Sequence, residues 1–265
     1  MNHGGRQHRD KIGITANAPS AGRLYGKGIF TTIAIYDRDP YLWDKHWKRI
    51  ERDAAKVGID LDEFPKAATR KALDELIEAK SLQNGRARIT FFDESATALW
   101  PYETTRLTSM LITTADLNPV AENFKLTVSP HLINSTSPLA GVKSCNYLEK
   151  IVAKDEATQR GFDEAIQLNE RGHITSACMG NVFWLKDERL STPSLETGCL
   201  PGTTREFVIE NIDCEEVVVG IEELRSANEI FLTSAGIGVV RIAEFEEREL
   251  ERRDHPIMKL LPSRS

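Results

Sequence analysis

Cysteine is scarce in this 265-residue sequence. The four present (Cys145, Cys178, Cys199 and Cys214) form no C-x-x-C pair and stand too far apart for a small disulfide framework. Free thiols in a reducing cytoplasm are the expectation. The six histidines show no metal-ligand spacing and H-E-x-x-H is absent, so no protein-built metal site is expected. Also missing are G-x-G-x-x-G, G-x-x-x-x-G-K-[ST] and G-x-S-x-G, which removes the usual signs of dinucleotide binding, P-loop nucleotide binding and serine hydrolysis. Basic residues are outnumbered, 34 against 40 acidic, for a net charge of −6. A nucleic-acid partner, which calls for a basic excess, is not expected. No apolar run approaches the ~18 residues that span a bilayer, and the opening MNHGGRQHRDKIG is polar. Neither a signal peptide nor a membrane partner is expected.

What is there is an ordinary globular balance, 40% hydrophobic and 28% charged, sufficient to bury a sizeable core. At ~150 residues per domain the length suggests one large domain or two modest ones. The arm 1–20 has no periodicity. From Ile29 an alternating β-branched run predicts a strand ending in the turn at 36–40. Trp43, Trp47, Ile50, Ala54 and Val57 recur at helical spacing, and Gly58 closes that helix. A second helix starts near Pro65 and carries Leu73, Leu76 and Ile77 inward. Strands follow near 86–92 and 107–114. The segment 116–123, broken by Asp116, Asn118, Pro119 and Asn123, reads as a linker between an N-terminal domain (1–115) and a C-terminal one (124–265). Beyond it the pattern predicts strand 124–129, helix 146–160, strands 164–168 and 180–185, helix 203–210, and strands 229–233 and 238–243. Mixed elements without a strict βαβ repeat give an α+β class in two parts.

One segment stands out physically. Pro201-Gly202-Thr203-Thr204-Arg205 opens a predicted helix, where free backbone N–H groups, two hydroxyls and the positive dipole end suit a phosphate. By itself it reads more simply as a Pro-Gly turn followed by a threonine N-cap.

Three stretches together resemble the class IV aminotransferases, the fold-type IV pyridoxal-phosphate enzymes. The first is Leu24-Tyr25-Gly26-Lys27-Gly28-Ile29-Phe30-Thr31-Thr32 with His46-Trp47-Lys48-Arg49-Ile50. The second runs from Ser137 to Glu149 around Lys143, and the third from Asp163-Glu164-Ala165 through Asn181-Val182-Phe183-Trp184 to Leu200-Pro201-Gly202-Thr203-Thr204-Arg205. The resemblance implies a two-domain fold, a smaller N-terminal α/β domain and a larger mixed-sheet domain, with pyridoxal 5'-phosphate as cofactor and a homodimeric assembly. By it, Lys143 resembles the lysine that forms the Schiff base with the cofactor and shuttles protons. That chemistry needs an amine deprotonated near neutrality, which burial favours. Arg49 resembles the phosphate-binding arginine, although its place beside Ile50 fits a solvated helix face as well. Gly202, Thr203 and Thr204 match the phosphate loop, Leu200 the apolar residue against the pyridine ring, and Tyr147 a tyrosine near the ring hydroxyl. Tyr25, Phe30 and Arg88 would line the substrate pocket.

The sequence departs from the aminotransferase pattern at two positions. Ser176 stands where those enzymes usually carry a glutamate that keeps the pyridine nitrogen protonated. A hydroxyl there implies a weaker electron sink, which handicaps transamination more than elimination of a β leaving group. Phe30-Thr31-Thr32 replaces Phe-Glu or Tyr-Glu and resembles 4-amino-4-deoxychorismate lyases, in which the threonine corresponding to Thr32 is implicated in elimination. The expected activity is therefore a lyase that releases pyruvate from an amine-bearing ring and leaves an aminobenzoate. The alternatives are an aminotransferase of D-amino or branched-chain acids, and a cofactor-binding protein without turnover.

Overall fold

The computed structural model describes residues 20–95, 107–117 and 120–262. The expected arm therefore lies outside the described residues except for Ser20, whose hydroxyl accepts from the Arg23 N–H. Residues 118 and 119 of the expected linker also lie outside them.

The chain up to residue 117 contains α1 (Ala21–Tyr25), β1 (Gly28–Tyr36), β2 (Asp39–Pro40), α2 (Trp43–Val57), α3 (Lys66–Ala79), β3 (Gly85–Asp93) and β4 (Thr108–Ala115). Its strands form one antiparallel sheet in the order β2-β1-β3-β4. Asp37 and Arg38 both take positive φ, which gives the tight β1–β2 turn the twist a hairpin needs. Gly58 ends α2 at φ 70°, where its N–H bonds back to Ala54.

Alternation along β1 sends its residues to two different places. Ile29, Ile33 and Ile35 enter a core with Trp47 and Ile50 of α2, Leu73 of α3, and Ile89 and Phe91 of β3. Phe30 and Thr32 face the other way, into a large cavity. β3 obeys the same rule, with Ala87, Ile89 and Phe91 in the core and Arg86 and Arg88 on the cavity wall. The register sets Thr32 directly opposite Arg88.

The remainder contains β5 (Lys125–Val128), α4 (Leu148–Gln159), β6 (Glu164–Leu168), β7 (Ile174–Ala177), β8 (Asn181–Lys186), β9 (Arg189–Pro193), α5 (Thr203–Asn211), β10 (Glu215–Val217), α6 (Glu222–Arg225), β11 (Glu229–Ser234), β12 (Gly238–Arg241), β13 (Glu244–Phe245) and β14 (Arg248–Glu249). They build two five-stranded mixed sheets, β10-β9-β8-β11-β12 and β14-β13-β5-β6-β7. Leu126, Ile166, Val182, Trp184, Ile230 and Phe245 pack together in one core that draws on both sheets.

One expectation needs correction. The helix predicted from residue 146 starts at Leu148 instead, because the chain before it is held flat against β1. The Phe30 N–H donates to the Lys143 carbonyl, the Cys145 N–H to the Gly28 carbonyl, and the Asn146 amide to the Gly26 carbonyl. The strand at Ile174–Ala177 carries no alternation because all four of its residues are buried, so periodicity passes over it.

Candidate active site

The cavity has a volume of about 690 Å³ and lies between the first sheet and the two later ones. Several chain segments bring chemistry to it. α2 presents His46, Arg49 and Asp53, at i, i+3 and i+7, along one buried flank. Asp53 accepts from the Lys143 N–H at 3.0 Å, so the helix and β1 together fix the Lys143 backbone and turn its side chain into the cavity.

The Lys143 Nζ lies 3.3 Å from the Tyr147 hydroxyl, 4.5 Å from the centre of the Phe30 ring and 5.0 Å from that of Tyr147. Burial, followed by the positive charges of Arg49, Lys150 and Arg88, holds this amine well below the ordinary lysine range. Burial pushes the Tyr147 phenol up to about 12, so it keeps its proton. Phe30 packs edge-on against Tyr147 at 5.1 Å, and the Arg88 guanidinium lies 3.6 Å over the Phe30 ring.

Deeper in, Arg49 is buried and donates through Nη2 to the Thr31 hydroxyl at 2.7 Å, while its Nε has no partner. The N-terminus of α5 faces the same space. Gly202 is its N-cap and offers no side chain to the free N–H groups, and Thr203 and Thr204 follow on its first turn. A Cβ at Gly202 would lie 2.1 Å from the Asn181 Oδ1, whose own amide is bonded to the Leu200 carbonyl. A side chain at Gly202 would displace Asn181 from this contact.

The remaining wall carries Ser176 from β7 and Leu200. Of the residues singled out from sequence, Thr32, Arg49, Lys143, Tyr147, Ser176, Leu200, Gly202, Thr203, Thr204, Phe30 and Arg88 all line the one cavity. Tyr25 does not line it. It sits 45% exposed on α1, which the left-handed turn at Gly26 sets apart from β1.

Sequence reasoning assigned no role to three polar residues here. The buried Glu164 carboxylate accepts the N–H groups of Ala165, Cys178 and Met179, and burial raises its pKa. The buried hydroxyl of Thr233 on β11 lacks a partner. His46 joins two threonines from distant parts of the chain. Among the described residues no His, Cys, Asp and Glu cluster could hold a metal, and no helix is long and apolar enough to cross a membrane.

A family model for amino-transferase class IV matches residues 28–245. The chain belongs to that family. It is 28% identical over 235 residues to the aminodeoxychorismate lyase of Bacillus subtilis (strain 168), covering 85% of this chain and 80% of that one. It is 27% identical over 240 residues to a putative branched-chain-amino-acid aminotransferase of Methanocaldococcus jannaschii, covering 88% and 83%. The crystal structure of a putative 4-amino-4-deoxychorismate lyase from Legionella pneumophila superposes with a TM-score of 0.85 at 25% identity, over 95% of this chain and 94% of that one.

This class IV chain is accordingly a pyridoxal-phosphate-dependent enzyme with the fold-type IV architecture. Its residues suit that group. A phosphate dianion would answer the unpartnered Nε of Arg49, the uncapped N–H groups of α5 and the unpartnered Thr233 hydroxyl. An aldehyde needs an uncharged amine, and Lys143 is the cavity lysine whose pKa is held well below the ordinary range.

Proposed function

We propose that this enzyme is a lyase that acts on 4-amino-4-deoxychorismate, releasing pyruvate and leaving 4-aminobenzoate. The observation that carries the reading is the neutral Ser176 hydroxyl on the cavity wall, where the aminotransferase pattern has a carboxylate.

In this reading Arg49, Gly202, Thr203 and Thr204 would hold the cofactor phosphate, and Leu200 would offer an apolar surface to its ring. Bound pyridoxal phosphate supplies a conjugated ring that spreads the electron pair left when a proton departs from the amine-bearing carbon. With the neutral Ser176 hydroxyl where the aminotransferase pattern has a carboxylate, the site would support that role only weakly. A substrate whose C–O bond breaks at the neighbouring position takes the electrons away with pyruvate and gains an aromatic ring, so it depends less on the sink. The Lys143 amine takes the proton from the ring carbon and can return it to the enol carbon of the departing pyruvate. Tyr147, 3.3 Å away, orients that amine. Thr32 faces the departing group, and Arg88 opposite it, with Arg86 alongside, offers guanidinium donors to substrate carboxylates.

We infer further that two copies associate, as the family resemblance implies, and that the enzyme works in the cytoplasm. Leu148, Ile151 and Val152 stand exposed at i, i+3 and i+4 on α4. Light scattering on the purified chain tests the dimer, and one mass of about 30 kDa, the 29.7 kDa protomer alone, contradicts it.

A putative branched-chain-amino-acid aminotransferase of M. jannaschii and a D-alanine aminotransferase of Bacillus licheniformis resemble the chain as closely as the lyases do, at 27% and 26% identity against 28% and 26%. Transamination is therefore the second reading. An amino donor with 2-oxoglutarate separates the two, because only an aminotransferase turns that pair over.

A further inference from the structure

Four buried side chains form a continuous line from α2 to the first turn of α5. The Arg49 Nη2 donates to the Thr31 Oγ1 at 2.7 Å. The Thr31 Oγ1 lies 2.7 Å from the His46 Nδ1, and the His46 Nε2 lies 3.3 Å from the Thr203 Oγ1. Thr31, His46 and Thr203 are each at most 3% exposed.

Their chemistry gives the line a direction. A guanidinium only donates, so the Thr31 oxygen receives. Thr31 has one proton left, and His46 Nδ1 is the acceptor beside it. Were Nδ1 protonated, the Thr31 oxygen would accept from both Arg49 and His46, and its own buried proton would be left without an acceptor, a costly arrangement. Nδ1 is therefore the acceptor, and the imidazole proton sits on Nε2, where it donates to the Thr203 oxygen. The Thr203 proton is then left to point into the cavity. Burial first, and then the charge of Arg49, disfavour a second proton on the ring.

We propose that His46 is a positioning residue for the phosphate subsite: held as the neutral Nε2–H tautomer by the Arg49–Thr31 pair, it turns the Thr203 hydroxyl into a donor toward the cofactor phosphate. The proposal rests on the assignment of Arg49 and Thr203 to that phosphate. His46 touches neither phosphate nor substrate and acts only through Thr203.

The test has two arms. In the first, nitrogen NMR of the pyridoxal-phosphate-loaded wild type, with labelled histidine, reads the His46 tautomer directly. The expected spectrum has a protonated Nε2 and a bare Nδ1, unchanged between pH 6 and pH 8. A protonated Nδ1 overturns the proposal, as does a doubly protonated ring. In the second, the apo forms of wild type, His46→Leu, His46→Gln and Arg49→Gln are titrated with pyridoxal phosphate and with pyridoxal, which lacks the phosphate. His46→Leu is expected to weaken pyridoxal phosphate about tenfold and leave pyridoxal unchanged, and His46→Gln, which keeps a donor near Thr203, to recover part of that loss. Equal loss for both ligands shows a general packing role and overturns the proposal. Arg49→Gln separates the two claims. If it costs no phosphate-dependent affinity, the subsite assignment itself fails. If it does while His46→Leu does not, the relay alone fails.

Discussion

The Lys143 amine and the Tyr147 hydroxyl lie 3.3 Å apart on the cavity wall, and burial moves their proton affinities in opposite directions, the amine down and the phenol up to about 12. Burial thus loosens the amine's hold on its proton while the phenol beside it keeps its own.

That pairing has a consequence for stability. The folded-state pKa of Lys143 lies below its ordinary 10.5, so between those two values the unfolded chain binds more protons and stability rises with pH. Lys143→Met removes the titration. Apo-Lys143→Met is expected to melt higher than the apo wild type at pH 7, with the gap closing as pH nears 10.5. Parallel melting curves across that range show the amine to be solvated. The same variant should lose the cofactor absorbance band that wild type shows with pyridoxal phosphate, and about 10²–10⁴-fold of its activity.

Ser176→Glu restores a carboxylate on the cavity wall. The variant is expected to convert bound cofactor to its amine form faster when given an amino donor, by about tenfold, while lyase turnover changes less. Rapid-scanning absorbance measures the first and product chromatography the second. No gain in the amine form contradicts the weak-sink explanation.

Thr32→Val keeps the β1 backbone and the shape of the residue but removes the hydroxyl opposite Arg88. Lyase kcat should fall by about 10²-fold, with cofactor affinity unchanged. Full activity in this variant removes Thr32 from the reaction.

Gly202→Ala forces a Cβ against the Asn181 Oδ1 and so breaks the Asn181 bond to the Leu200 carbonyl. Chemical denaturation should register a loss of about 1–3 kcal/mol, and pyridoxal phosphate should bind more weakly. Adding Asn181→Ala relieves the clash, so the double variant should lose less than the sum of the two single variants. Strict additivity contradicts the steric account.

Much of this arrangement was legible in the sequence because it rests on local periodicity. The alternation of Ile29, Ile33 and Ile35 against Phe30 and Thr32 is what divides core from cavity, and the stripe from Trp43 to Val57 fixes the face of α2 that is buried. The short elements were not legible. α1 is five residues long, less than two turns, and β7 is buried throughout, so neither shows a pattern. Nor was the role of His46, whose two partners stand 15 and 157 residues away in the chain. A polar side chain on a helix looks the same in sequence whether it meets water or two buried threonines. Tyr25 lies outside the cavity of the single chain for the converse reason. The motif places it beside the strand, and the turn at Gly26 sets it outside.

The most direct test of the proposed activity is to incubate the pyridoxal-phosphate-loaded wild type with an aminodeoxychorismate-generating system, without any 2-oxo acid, and quantify the products. The account predicts 4-aminobenzoate and pyruvate in equal amounts, over many turnovers. No 4-aminobenzoate, whether with brisk turnover of an amino donor and 2-oxoglutarate or with no turnover of either, would contradict it.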